Sequence, residues 1–115
     1  MSDPSVPPDN ARSAWRHAAA VDELWEDEIV RVRVGDVDLL LVRLRGNEVH
    51  AYDNRCPHAG SPLSDGSLNG TTLRCIAHFW EFDVRTGEGV NPRNCSLRRF
   101  SVRIVNGHVM VRVDP

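Results

Sequence analysis

Two short motifs, Cys56-Pro57-His58 and Cys75-Ile76-Ala77-His78, limit what this chain can fold into more than any other feature. Each supplies one thiolate and one imidazole, and sixteen residues separate His58 from Cys75. Zinc accepts Cys2His2 sets, but its fingers bring both cysteines first and both histidines later. A bridged two-iron, two-sulfide cluster with mixed ligation suits the split arrangement, with Cys56 and Cys75 on one iron and His58 and His78 on the other. A zinc-stabilised β module with a binding role stays open as the alternative. Either metal needs a rigid scaffold that brings two separate loops to one point. A two-iron cluster moves one electron at a time, so the leading reading is an electron carrier.

The scaffold is legible in the alternation of the flanking segments. Ile29, Val30, Val32 and Val34 are interleaved with Arg31 and Arg33, and Gly35-Asp36 marks a turn. Val37 to Leu44 reads as the next strand, Gly46-Asn47 as a turn, and Glu48 to Asp53 as a third strand. Thr71 to Arg74 and Trp80 to Asp83 are short strands on either side of the second motif. Phe100, Val102 and Ile104 alternate with polar residues, Asn106-Gly107 is a type I′ hairpin signal, and Val109, Val111 and Val113 alternate again. Residues 18–25, from Ala18 to Trp25, read as one helical turn or a short helix. The fold class expected is all-β, an antiparallel sandwich or barrel, with two cluster-binding loops at one end. Residues 1–14, rich in Pro, Ser and Asp, are expected to be a flexible tail before a single domain at 15–115.

The bulk properties exclude several classes. At 115 residues the chain suffices for one domain. A formal charge of −2 favours neither nucleic acid nor a membrane surface. The longest apolar run, Leu39-Leu40-Leu41-Val42, is far too short to cross a bilayer and reads as a buried strand. The first ten residues lack the basic and apolar regions of a secretory signal, so a cytoplasmic location is expected. With Cys56 and Cys75 given to the cluster, Cys95 is left over as a small, partly buried residue, and no disulfide framework remains. No paired-carboxylate signature, Ser-His-Asp set or phosphate loop is present, so the chain is expected to turn nothing over alone. His17, His50 and His108 read as ordinary histidines.

The residues from Cys56 to Leu63 and from Cys75 to Asp83 resemble the Rieske ferredoxin family, a likeness that covers roughly residues 20–113. The resemblance implies a [2Fe–2S] cluster held by Cys56, His58, Cys75 and His78. High-potential respiratory members of that family carry a cysteine after each ligand pair, where this chain has Ser61 and Ala77. They also carry hydroxyl groups that donate to cluster sulfur, whereas Phe79-Trp80-Glu81-Phe82 offers none. Fewer donors leave the reduced cluster less stabilised, so a potential low in the Rieske range is expected.

Further downstream, Gly87-Glu88-Gly89-Val90-Asn91-Pro92 and then Cys95 are similar to ferredoxins of multicomponent di-iron monooxygenases. That likeness implies a flavin-containing NADH reductase as donor and a di-iron hydroxylase as the terminal oxygenase. Ring-hydroxylating dioxygenase and nitrite-reducing systems are the rival clients. A shuttle binds its partners transiently, and a monomer is the expectation. Pro62 and Leu63 are expected to form an apolar lid, and Trp80 to meet the partner or to pack the loop. Asp65, Asp83 and the Arg93, Arg98, Arg99 patch are expected to be largely solvated.

Overall fold

The computed structural model describes residues 15–57, 60–76 and 79–113. The tail expected at residues 1–14 lies outside the described residues. Ten strands follow in order: β1 (Arg16–Ala20), β2 (Glu28–Val34), β3 (Val37–Arg43), β4 (Val49–Asp53), β5 (Ser67–Asn69), β6 (Thr72–Arg74), β7 (Glu81–Asp83), β8 (Gly89–Asn91), β9 (Arg99–Val105) and β10 (His108–Arg112). They form a six-stranded sheet ordered β1-β10-β9-β4-β3-β2 and a four-stranded sheet ordered β5-β6-β7-β8. The terminal strands of the larger sheet, β1 and β2, come back into contact, so that sheet is nearly closed. The all-β expectation is met, with every pairing antiparallel.

Strand β3 explains the apolar run at its centre. Successive side chains of a strand point to opposite faces. Leu39 and Leu41 enter one buried cluster with Val49, Ala51, Phe100, Val109 and Val111. Leu40 and Val42 enter a second cluster with Tyr52, Leu63, Leu73 and Phe82. Both faces of β3 are therefore covered, one by the barrel wall opposite and one by the small sheet. A strand covered on both faces loses its alternation and reads as a continuous apolar run. Tyr52 ties the layers together: its hydroxyl donates to the Val84 carbonyl at 2.6 Å. Burial pushes its phenol up to about 12.

The helical turn or short helix expected over Ala18–Trp25 is met only by a single 3-10 turn, and the residues before it are strand. Residues 18–20 complete β1, and only Val21–Glu23 form a single 3-10 turn. Ala19 and Ala20 lie opposite Val109 and His108 of β10, and Val21 N–H donates to the Gly107 carbonyl at 2.8 Å. Pairing with β10 satisfies this backbone and buries Ala19, which outweighs the helical preference of alanine. Two strands, β5 and β8, were not expected, being three residues each and without alternation. The hairpin signal at Asn106-Gly107 holds: both residues take positive φ, 51° and 78°, as a type I′ turn requires.

Candidate metal centre

Cys56 lies just beyond β4, and Cys75 directly follows β6. Each cysteine forms the base of a tight loop. Cys56 N–H donates to the Ser61 carbonyl at 2.8 Å, and Gly60 N–H returns a bond to the Cys56 carbonyl at 2.8 Å. In the second loop Cys75 N–H donates to the Trp80 carbonyl at 2.7 Å. These bonds bring Ser61 back to Cys56 and Trp80 back to Cys75. Both cysteines are buried, at 1% and 0% exposure, and both belong to the second core cluster. No disulfide joins them although they share that cluster. Two buried, unbridged thiols at the bases of neighbouring loops fit a thiolate-bound metal. His58 and His78, expected to complete the set, lie outside the described residues.

Three features hold the loops in register. Asn54 is the buried polar side chain among the described residues, at 3% exposure. Its Oδ1 accepts from Ser64 N–H at 2.8 Å, and its Nδ2 donates to Ser64 Oγ at 3.0 Å. Its own N–H donates to the Asp38 carbonyl at 2.8 Å, which fastens the first loop to the start of β3. Gly66 joins the two loops: a Cβ there would overlap the carbonyl oxygen of Arg74, the residue before Cys75. Leu63 is fully buried in the second core cluster with Cys56 and Cys75, and Pro62 beside it is half-buried.

The loop tips carry apolar groups that the strand pattern did not single out. Ile76, inside the second motif, and Phe79, directly after it, are 55% and 63% exposed. Phe79 sits at φ 55°, a left-handed conformation that is unfavourable for a bulky side chain. The guanidinium of Arg74 lies 5.6 Å from the centre of its ring and pairs with Glu81 at 3.1 Å. Large apolar residues within and directly after the second motif, outside any strand alternation, are the available signal for this pair. Trp80 instead packs against the second core, which favours the loop-packing role over the partner contact.

The downstream glycine motif is structural. Gly87 takes φ +83° against the Tyr52 ring. Gly89 N–H donates to the Cys95 carbonyl at 2.8 Å, and Leu97 N–H to the Gly87 carbonyl at 2.7 Å. Cys95 thus turns half-buried toward the second core. Burial, and secondarily the charge of Cys56, push its thiol up. Asp83 is not simply solvated, since its Oδ1 accepts from Arg85 N–H at 2.8 Å. Among the remaining histidines, His50 pairs with Glu48 at 2.9 Å and His17 with His108 at 3.1 Å. Arg98 lies 5.1 Å from the centre of the Phe100 ring.

Comparison with known proteins agrees with this geometry. The profile of the Rieske [2Fe-2S] domain matches residues 14–101. The chain is 40% identical over 97 residues to the ferredoxin component of the alkene monooxygenase system of Xanthobacter autotrophicus, covering 84% of this chain and 79% of that one. It is 34% identical over 101 residues to the ferredoxin component of the naphthalene 1,2-dioxygenase/salicylate 5-hydroxylase systems of Ralstonia sp., covering 87% and 96%. The solved ferredoxin of carbazole 1,9a-dioxygenase from Nocardioides aromaticivorans superposes with a TM-score of 0.79 at 27% identity, covering 87% and 98%.

Proposed function

Because this chain belongs to the Rieske [2Fe-2S] family, we propose that it is the ferredoxin that carries single electrons from a flavin-containing NADH reductase to the di-iron hydroxylase of a hydrocarbon monooxygenase. The observation that carries the reading is the pair of buried, unbridged cysteines at the bases of two tight loops. Cys56 and Cys75 would hold one iron, and His58 and His78 the other. When bound, the cluster supplies reversible one-electron chemistry. The chain's own residues hold the loops: Asn54 fixes the first, Gly66 brings it against the second, and Leu63 excludes water beneath them. The scaffold is anchored by strands rather than by mobile side chains, so cluster geometry is held in both redox states.

The monooxygenase client is supported by the Gly87–Cys95 loop and by the alkene monooxygenase relative. Ile76 and Phe79 give the cluster end an apolar surface for transient docking. Among the described residues no helix is long and apolar enough to cross a membrane. A monomeric, cytoplasmic shuttle formed by the domain at 15–115, with no nucleic-acid or membrane partner and no turnover of its own, fits this reading.

Low-temperature EPR of the dithionite-reduced protein, with iron quantified, tests the cluster. Two irons per chain and a rhombic S = 1/2 signal are expected. Zinc without iron would replace the reading with a structural β module. A redox titration is expected to give a midpoint below 0 mV, in the lower part of the roughly −150 to +300 mV Rieske range. Reconstitution with di-iron hydroxylase and with dioxygenase components separates the clients, the faster turnover identifying the partner.

A further inference from the structure

We propose that His17 and His108 form a divalent copper site on the outer barrel wall, separate from the cysteine loops. His17 lies on β1 opposite Met110, and a bulge follows at Ala18. His108 is two residues before Met110 on β10, so all three side chains project from the same face. The His17 Nε2 and His108 Nδ1 atoms are 3.1 Å apart, with ring centres 5.1 Å apart and planes tilted by 57°. Both imidazoles are exposed and open on a groove of about 400 Å³ that Met110 also lines.

That separation is the bite of a chelate. Two metal–nitrogen bonds of about 2.0 Å spanning it subtend about 100°, between square-planar and tetrahedral angles. Each ring can keep its one proton on the outward nitrogen, Nδ1 of His17 and Nε2 of His108, leaving both inner lone pairs for the ion. The two rings now share a hydrogen bond there; when the ion binds, the proton between them would move through solvent to the outward nitrogen of its own ring.

The surroundings select among metals. The guanidinium groups of Arg103 and Arg112 lie over the Trp15 ring, 4.2 Å and 5.6 Å from its centre, in the same region. Their charge opposes every divalent cation alike. Only the ion that bonds imidazole most strongly overcomes that repulsion, and among first-row divalent ions this is copper. No residue of the two cysteine loops takes part.

The test uses the iron-loaded, oxidised protein, whose coupled ferric pair gives no EPR signal, so that added Cu(II) is seen alone. One Cu(II) per chain is expected in competition with glycine, with hyperfine structure from two nitrogens. The His17→Gln and His108→Gln variants are each expected to bind copper at least tenfold more weakly, and Met110→Leu to bind as the parent does. Unchanged cluster absorbance in each variant shows that it has folded. Copper left in the glycine complex by the parent, or an unchanged spectrum and affinity in either Gln variant, would overturn the site.

Discussion

Asn54 shows how much one side chain can carry. Its amide bonds Ser64 twice, at 2.8 and 3.0 Å, while almost completely buried. Asn54→Ala leaves the Ser64 N–H without its acceptor, a loss of about 1–3 kcal/mol. Urea denaturation of the holoprotein measures that loss, and iron content should fall with it; unchanged stability would mean that water takes over the role. Glu48 illustrates a different balance. Hydrogen bonds from Arg85 and then His50 hold its carboxyl down at about 2, although the side chain is one-third exposed. A lowered folded-state value stabilises the fold above the ordinary carboxylate value of about 4.3. That contribution disappears as pH falls from there through about 2. Solvent screening keeps it under about 1 kcal/mol. Glu48→Gln should therefore be the less stable protein at pH 7, with the gap narrowing below about pH 4 and closing only near pH 2 in paired denaturation curves.

At the scale of elements, the small sheet determines where the second cysteine goes. Strands β5 and β6 pair from Ser67↔Arg74 to Asn69↔Thr72, and Gly66 leads into that ladder against the Arg74 backbone. Gly66→Ala forces a methyl group into a carbonyl that cannot move without shifting Cys75. Overpacking of this kind costs about 1–3 kcal/mol, and here the displacement falls on the metal loop. The variant is expected to lose cluster during desalting, seen as falling visible absorbance, while far-UV circular dichroism stays β-like. The large sheet plays the other part. Its β3 strand, buried on both faces, joins the barrel core to the core beneath the loops.

At the scale of the whole molecule, the cluster end is apolar at its tip and bound to the body through backbone bonds. Exposed apolar groups such as Ile76 and Phe79 cost little when a partner covers them and favour binding that remains weak. Phe79→Gly is the informative change, since glycine accepts φ 55° without strain and only the ring is lost. It should leave the potential and the absorbance as they are and raise the KM for ferredoxin in hydroxylase turnover several-fold. A normal KM would place docking elsewhere on the surface.

The sequence by itself determined the pair of Cys/His motifs and most of the strand scaffold. Ligand spacing is a local property, and alternation of period two is visible wherever one face of a strand is buried and the other wet. Turn chemistry was legible for the same reason, since Asn106-Gly107 needs no distant partner to prefer its conformation. Only the tertiary structure decided that residues 18–20 are strand, because their partners lie on β10, about ninety residues away. It also decided that Leu63 is buried with both cysteines, that Phe79 is exposed, and that His17 meets His108. Each of these depends on contacts between segments far apart in the chain, which no local pattern encodes.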